Sequence, residues 1–287
     1  MRSKQLRVVL FALTGFGNPV LKALLETANV HVEAVFTVKY ENPFPYYKER
    51  QLVDLCNERG VNCYYGVKVC SDEGLELLRK LSPDLIMMAT FKQILRENVI
   101  QIPPLGVINF HPSLLPRYRG PCPTNAALLN DEKITGVTIH YATEALDEGN
   151  ILLQRSIDIR EIENDGQLRQ KLSNLAGELV PECIGYFVGL TPPVGMPQDH
   201  NLASFAPKPT IEDGYLELTT SIEIIRRKMR AFNPLPGTSI LVRGNRIAVE
   251  RYDLLDAIMP DGIYENTKSI DISIDSQVIR LYKKDDR

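Results

Sequence analysis

The segment LRVVLFALTGFGN, residues 6–18, decides the fold class of this chain. Its first part, Leu6–Ala12, is a short Val- and Leu-rich run of the kind that forms a buried strand in a parallel sheet. Its second part, Leu13–Asn18, carries two glycines and predicts a turn into a helix that ends near Thr27. A strand, a tight turn and a helix in this order indicate an α/β fold.

The same alternation continues outward from this segment. Further strands are predicted at Val32–Thr37, Val61–Tyr65, Leu85–Ala89, Gly106–Phe110, Gly136–Tyr141 and Ile151–Ile159, and helices at Tyr46–Arg59, Asp72–Leu81 and Leu168–Leu190. Because strands that alternate with helices usually pair in parallel through right-handed crossovers, we predict a Rossmann-like parallel sheet.

The C-terminal part of the chain has a different pattern. A helix is predicted at Ser221–Phe232, and short strands separated by turn signals at Thr238–Val242, Arg246–Tyr252, Ser269–Ile274 and Val278–Tyr282. This favours a small β-rich domain, for which an OB-like barrel is one candidate. The five prolines of Thr191–Pro209 are typical of a linker. We therefore expect a catalytic domain over 1–190, a proline-rich linker over 191–209 and a β-rich domain over 210–287.

Composition excludes several classes of protein. Of the 287 residues, 44% are hydrophobic and 24% charged, which is ordinary for a globular chain of about two domains and excludes a disordered or collagen-like one. No apolar run approaches the roughly 20 residues of a membrane helix and the N-terminus has no cleavage-site pattern, so we expect a cytoplasmic protein without membrane contact. The five cysteines form no Cys-x-x-Cys pair and no zinc-type spacing, so no disulfide framework and no metal are expected.

Chemically active residues concentrate where a predicted strand ends. The apolar pair Val107 and Ile108 leads directly into Asn109 and, two residues on, His111. Ligand sites of open parallel sheets lie at the carboxyl ends of strands, and side chains two residues apart share one face of a strand. An Asn amide suits a developing oxyanion and a His suits proton transfer near neutral pH. We therefore expect a functional site at Asn109 and His111, and we consider a purely structural role of His111 less favoured.

Two other features allow more than one interpretation. Thr143–Gly149 follows the strand Gly136–Tyr141 and carries three acids. It is either a solvated acidic turn or the source of a carboxylate that tunes His111. Gly15 and Gly17 lack the third glycine of a dinucleotide-binding fingerprint, and they indicate a tight turn rather than a nucleotide site.

At these residues the chain resembles the formyltransferases that use 10-formyltetrahydrofolate. This superfamily includes methionyl-tRNA formyltransferase, glycinamide ribonucleotide transformylase and nucleotide-sugar N-formyltransferases. The resemblance rests on Asn109-x-His111, the loop Ser113–Gly120, Gly136–Thr138 and Leu146–Gly149. It extends from the N-terminus to about Pro209 and returns more weakly at Arg230–Gly237.

The resemblance implies an enzyme with a catalytic trio of Asn109, His111 and Asp147. Asn109, together with protonated His111, would stabilise the tetrahedral oxyanion formed when a primary amine attacks the formyl carbon. Asp147 would orient His111 and help to move a proton to the departing folate nitrogen. The resemblance also implies a folate pocket, lined by Phe91, Gln93, Ile94, Leu95, Ser113, Leu114, Leu115, Pro116, Thr143, Glu144, Ala145 and Leu146.

The acceptor amine is predicted from charge. The segment from Phe205 to Arg287 has 13 Lys or Arg and 13 Asp or Glu, and the rest of the chain carries the net charge of −3. Neither part therefore supplies the basic face on which tRNA binding depends. We expect a nucleotide-linked amino-sugar, with Tyr46 and Tyr47 for its base and Arg117 and Arg119 for its diphosphate.

Other functions and partners remain open at this stage. Initiator methionyl-tRNA is the alternative acceptor, because Phe232–Gly237 also occurs in the tRNA branch. A 10-formyltetrahydrofolate hydrolase and a non-catalytic folate binder are weaker alternatives, the latter because Asn109, His111 and Asp147 are all present. The strand edges of the small domain would allow a homodimer.

Overall fold

The computed structural model describes residues 5–41, 50–189, 191–217 and 221–284. By their contacts these residues form two compact units. The first contains Met1–Gly120, Ile134–Asp158 and Arg169–Phe205, and the second contains Pro121–Lys133, Ile159–Leu168 and Ala206–Arg287. Most of the expected linker, up to Phe205, therefore groups with the first unit, and two segments of the expected catalytic domain group with the second.

The elements follow one another in the order that the periodicity predicts. They are β1 (Leu6–Ala12), α1 (Gly17–Glu26), β2 (Val30–Thr37), α2 (Leu52–Arg59), β3 (Cys63–Tyr65), α3 (Asp72–Leu81), β4 (Leu85–Ala89), α4 (Glu97–Ile100), β5 (Val107–His111), α5 (Pro123–Leu129), β6 (Ile134–Tyr141), β7 (Ile151–Asp158) and α6 (Asp165–Gly185). A 3-10 turn at His200–Leu202 follows, then β8 (Tyr215–Leu216), α7 (Ile222–Phe232), β9 (Thr238–Val242), β10 (Asn245–Leu255), β11 (Gly262–Glu265), β12 (Ser269–Ile274) and β13 (Gln277–Lys283).

The elements that the pattern missed are all short. They are α4, α5, the 3-10 turn, β8 and β11, each of seven residues or fewer. Such lengths are too small for a helical or strand period to show. The predicted helix from Tyr46 begins at Leu52 in the structure, and its first four residues lie outside the described part of the chain.

The first unit is built on a seven-stranded sheet with the order β3-β2-β1-β4-β5-β6-β7. Strands β1 to β5 pair in parallel, which confirms the predicted α/β class. The last two strands are a correction to a purely parallel sheet, because β6 runs antiparallel to both β5 and β7. The turn at 142–150 joins β6 to β7 without a crossover helix, and such a connection produces an antiparallel pair.

Strand β1 is the centre of the core, as its unbroken apolar run predicts. Val8, Val9, Leu10, Phe11 and Ala12 are fully buried because the strand has neighbours on both sides. The ring of Phe11 meets Phe36 edge-on at 5.2 Å between centroids and stacks on Phe91 at 4.9 Å. This packing makes the middle of the sheet a rigid support for the ends of β4 and β5.

The second unit contains a six-stranded sheet with the order β11-β12-β13-β10-β9-β8. Helix α7 buries Ile222, Ile225 and Met229 against a cluster that includes Ile240 and Ile272. The predicted β-rich C-terminal part is thus confirmed. Its sheet is open in the described residues, since no hydrogen-bonded pair joins β11 to β8.

None of the helices in the described part of the chain combines the length and the apolar character that a membrane crossing needs.

The aromatic contact at the centre of the sheet should dominate the stability of the first unit. We expect Phe36→Ala to lower the free energy of unfolding by about 4 kcal/mol, because it removes a buried ring and leaves a cavity beside Phe11. Tyr65→Ala, on the neighbouring strand β3 but half exposed, is the matched control and should cost less than about 1 kcal/mol. Urea denaturation followed by circular dichroism measures both, and equal losses would contradict the packing described here.

Candidate active site

The strand pair β5–β6 places three polar side chains side by side. Asn109 and His111 lie at the end of β5, and His140 of β6 is the direct cross-strand partner of Asn109. Directly opposite residues project to the same face of an antiparallel pair. The Nδ2 atom of Asn109 lies 3.2 Å from Nε2 of His140. The predicted proximity of Asn109 and His111 thus holds in the structure, and His140 joins them.

Asp147 enters the site from the turn between β6 and β7. Its backbone has a positive φ of 55°, and its side chain is nearly buried. Oδ1 accepts a hydrogen bond from Asn109 Nδ2 at 3.3 Å, and Oδ2 accepts one from the backbone N–H of Gly120 at 2.8 Å. Oδ2 also lies 3.6 Å from Nδ1 of His111. Of the two interpretations of the acidic turn, the structure therefore favours a carboxylate inside the site.

The hydrogen bonds determine which ring nitrogens carry protons. Nε2 of His111 lies 2.8 Å from the carbonyl oxygen of Tyr118, which can only accept, so Nε2 carries a proton and Nδ1 faces Asp147. Nδ1 of His140 likewise donates to the carbonyl of Tyr141 at 2.8 Å. Nε2 of His140 lies 3.2 Å from the amide nitrogen of Asn109 and 3.6 Å from Oδ1 of Asp147, so it faces both side chains.

Burial controls the protonation of His111. It lowers the pKa of this histidine, and the neighbouring imidazole of His140 acts in the same direction. The carboxylate of Asp147 and the hydrogen bond to Tyr118 oppose this effect without reversing it. A lowered pKa leaves the imidazole neutral near neutral pH. Protonation of His111 is therefore expected during a reaction rather than before it.

Asp147 remains ionised for the opposite reason. Burial by itself would raise the pKa of this carboxyl group. The positive charge available on His111, contacts with His140 and the N–H of Gly120 outweigh burial and lower the pKa to about 2. A neutral base and a carboxylate thus lie next to each other in a nearly dry site.

The loop Ser113–Gly120 is held by hydrogen bonds to neighbouring strands. Thr138 Oγ1 donates to Ser113 O at 2.6 Å and accepts from Leu115 N at 3.1 Å. Gln154 of β7 donates to Leu115 O at 2.7 Å. Of the predicted folate-lining residues of this loop, Ser113 and Leu115 are buried, and Leu114 and Pro116 are half-buried. The loop is therefore well ordered next to His111.

The other predicted folate-lining residues divide between core and surface. Phe91 and Leu95 belong to the core around β1, and Gln93 bonds the backbone of Val67 and Val69 at 2.8 and 2.9 Å. Ile94 is 79% exposed. Thr143, Glu144, Ala145 and Leu146 are exposed as well. Glu144 bridges the two segments, because its carboxylate accepts from the N–H of Glu97 at 3.1 Å. A role of these residues in folate binding stays a prediction.

The predicted acceptor-binding residues have different surroundings. Tyr46 and Tyr47 lie outside the described residues. Arg117 is exposed, with its guanidinium over the ring of Tyr118 at 5.0 Å. Arg119 is buried, and it contacts Glu148 at 3.0 Å and Gln198 at 2.8 Å. The guanidinium of Arg119 therefore faces other side chains of the protein. Its contact with a diphosphate stays a prediction.

Two site residues were missed by the sequence analysis. His140 had a weak signal, since it is the one ionisable imidazole in the strand that directly precedes the acidic turn. Gln198 had none, because it lies in the proline-rich segment expected to be a linker. Its amide nevertheless donates to the carbonyl of Asp147 at 2.9 Å.

Comparison with known proteins shows the family of this chain. A family model described as formyl transferase matches residues 8–184. Among curated relatives, methionyl-tRNA formyltransferase of Syntrophus aciditrophicus is 43% identical over 175 residues, which cover 61% of this chain and 56% of that protein. The corresponding protein of Kosmotoga olearia is 36% identical over 233 residues, covering 80% and 73%. The chain belongs to the formyl transferase family, which confirms the resemblance predicted from the motifs.

Solved structures support the same fold. The N-formyltransferase from Helicobacter canadensis, in complex with folinic acid and dTDP-3-aminofucose, superposes with a TM-score of 0.74 at 18% identity. The match covers 98% of this chain and 100% of that one. At this identity the likeness concerns the fold, and it includes the β-rich C-terminal part.

The low pKa of Asp147 predicts a pH-dependent contribution to stability. Because the folded-state pKa of about 2 lies below the ordinary value of 3.8, the ionised form stabilises the fold above about pH 4 and this contribution is lost as the pH falls towards 2. Asp147→Asn should therefore be less stable than the wild type by about 2 kcal/mol at about pH 6, and the difference should shrink at about pH 3. Urea denaturation at both pH values measures the difference in the free energy of unfolding. A difference that does not change with pH would contradict the lowered pKa of Asp147.

Proposed function

We propose that this protein transfers the formyl group of 10-formyltetrahydrofolate to a primary amine. The observation that supports this best is that Asp147, in the turn between β6 and β7, lies next to Asn109 and His111 of β5. An amide donor, a neutral imidazole and a carboxylate are the groups that acyl transfer to an amine needs. Membership of the formyl transferase family supports the same reaction.

The reaction assigns a separate task to each residue. The amine attacks the formyl carbon, and negative charge develops on the formyl oxygen. Asn109 is suited to stabilise this charge, because its 3.3 Å hydrogen bond to Asp147 is long and exchanges readily for a shorter one to an oxyanion. A preorganised donor of this kind contributes about 3 kcal/mol to transition-state stabilisation.

Proton transfer falls to His111. Neutral at rest, the imidazole can accept the proton that the attacking amine releases, and the adjacent carboxylate of Asp147 stabilises the imidazolium that results. The proton then passes to the folate nitrogen as its bond to the formyl carbon breaks. The products are the formylated amine and tetrahydrofolate, so atoms and charge balance.

The acceptor that we propose is the amino group of initiator methionyl-tRNA. The support comes from the curated relatives, which are methionyl-tRNA formyltransferases at up to 43% identity. They favour the tRNA alternative over the amino-sugar expected from the charge balance. Since the aligned segment spans only 56% of the Syntrophus protein, the acceptor is a proposal and not part of the family assignment.

A nucleotide-linked amino-sugar is the second candidate acceptor. Two observations favour it. The fold of an N-formyltransferase solved in complex with dTDP-3-aminofucose covers nearly the whole chain, and the C-terminal segment from Phe205 has equal numbers of acidic and basic residues. A tRNA-binding surface on this protein would need local clusters of basic residues that the overall balance conceals.

The catalytic role of His111 predicts a large loss of turnover on its removal. His111→Asn, which removes the imidazole but keeps a polar side chain, should lower kcat at least about 100-fold. His31→Asn is the matched control, because His31 is exposed on β2, and it should retain wild-type turnover. Tetrahydrofolate release measures both. Near-normal turnover in a folded His111→Asn protein would remove the proposed mechanism.

The acceptor can be identified by offering each candidate substrate to the protein separately. The wild type is incubated with 10-formyltetrahydrofolate and with charged initiator tRNA, charged elongator methionyl-tRNA or a panel of nucleotide-linked amino-sugars. We expect N-formylmethionine, detected by mass after deacylation, from initiator tRNA alone. Formylation of a sugar without formylation of tRNA would overturn this choice in favour of the second candidate. Formate release without any acceptor would indicate a hydrolase.

A further inference from the structure

The segment 191–205, expected to be a linker, runs along the active-site loops of the first unit. Met196 and Ile151, at the start of β7, exchange two backbone hydrogen bonds of 2.8 Å. Farther on, Ser204 accepts from the backbone N–H groups of Tyr118 and Arg119, at 2.9 and 2.8 Å. The segment is thus attached next to both loops that supply the site, and Gln198 lies between the two attachments.

The side chain of Gln198 is buried, and both its amide nitrogen and its amide oxygen form hydrogen bonds. Its Nε2 donates to the carbonyl oxygens of Asp147 and Gly149, at 2.9 and 2.8 Å. Its Oε1 accepts from Nε and Nη2 of Arg119, at 3.2 and 2.8 Å. Because Arg119 can only donate, it sets the orientation of the amide so that the NH2 group must face the turn.

The turn that Gln198 contacts has an unusual backbone. Asp147 has a positive φ, which costs free energy in a residue other than glycine. A Cβ atom on Gly149 would collide with the backbone oxygen of Tyr141, so the turn also packs closely onto the end of β6. Such a conformation persists when surrounding hydrogen bonds hold it, and Gln198 holds it on both sides of Glu148.

Arg119 extends the same arrangement to the side chains of the turn. Its Nη1 forms an ion pair with Glu148 at 3.0 Å, and the next residue in the chain, Gly120, donates its N–H to the Asp147 carboxylate at 2.8 Å. The backbone and the carboxylate of the turn are therefore positioned together by Arg119, Gly120 and Gln198.

We propose that Gln198, oriented by Arg119, is a positioning residue for catalysis, and that it keeps the carboxylate of Asp147 within reach of Asn109 and His111. The inference rests on the proposed formyl transfer and adds to it a contribution from the segment after α6. Without the two hydrogen bonds from Gln198, the turn relaxes its backbone and the carboxylate moves away from the imidazole. A displacement of about 1 Å at a reacting centre can cost about 100-fold in rate.

Two substitutions test the proposal. Gln198→Leu removes both donation and acceptance without adding charge, whereas Gln198→Glu keeps an acceptor for Arg119 but replaces the N–H groups that face Asp147 and Gly149 by a carboxylate oxygen. We expect both variants to lose about 100-fold in kcat with little change in the KM for the folate donor. Gln170→Leu on α6 is the matched control, because its amide contacts only Ser173 and Asn174 among the described residues, and it should turn over like the wild type.

A second readout needs no acceptor and separates positioning from general destabilisation. The chain has four histidines, and NMR titration follows their ring protons, with His111 assigned through His111→Asn. His111 faces Asp147, which raises its pKa, and His140, which lowers it. If Gln198 positions Asp147, the pKa of His111 falls further in Gln198→Leu, which adds no charge, and stays at the wild-type value in Gln170→Leu.

The outcomes are distinct. Turnover within twofold of the wild type in either variant, or an unchanged titration of His111 in a folded Gln198→Leu protein of reduced activity, would overturn the positioning role. Wild-type behaviour of Gln198→Glu would do so as well, even if Gln198→Leu failed to fold. If the wild type formylated no acceptor, the proposed function would fail, while the titration of His111 would still decide whether Gln198 positions Asp147.

Discussion

One buried carboxylate organises the candidate active site. Asp147 is nearly inaccessible to water, and an ionised group in that position is unstable unless hydrogen bonds and opposite charge replace its hydration. The N–H of Gly120 and the amide of Asn109 donate hydrogen bonds to it, and the imidazoles of His111 and His140 each lie 3.6 Å from one of its oxygens. These groups lie on β5, on β6 and in the loop that ends at Gly120, so the fold must bring three segments of the chain to one point.

The same carboxylate accounts for how His111, whose pKa is lowered, could accept a proton in the proposed reaction. A fully buried imidazole resists protonation, and without a counter-charge it would be a poor proton acceptor. Asp147, 3.6 Å away, makes the imidazolium accessible during the reaction while leaving the resting base neutral. His140 adds a further constraint, since it orients the amide of Asn109 through their 3.2 Å contact. The site is therefore one connected polar network, and its members are not independent.

The division of the molecule into two units bears on the acceptor. All residues of the network belong to the first unit, and so does the segment that carries Gln198. The side chains of this network thus lie together in the first unit, whereas the relatives point to tRNA and the charge balance to a smaller acceptor. The identity of the amine depends on surfaces outside the network, so membership of the family does not by itself determine the substrate.

The α/β class, the β-rich C-terminal part and the position of Asn109 and His111 at a strand end could all be predicted from the amino-acid sequence. They depend on the local periodicity of apolar residues and on spacing along one strand. The antiparallel direction of β6, the position of His140 opposite Asn109 and the entry of Asp147 from the acidic turn could not be predicted from the residues and required the folded structure. The same is true of the contact that Gln198 makes from a proline-rich segment. Contacts between residues as distant in sequence as Asp147 and Gln198 depend on how the elements pack, and no local pattern encodes the hydrogen bonds that packing creates.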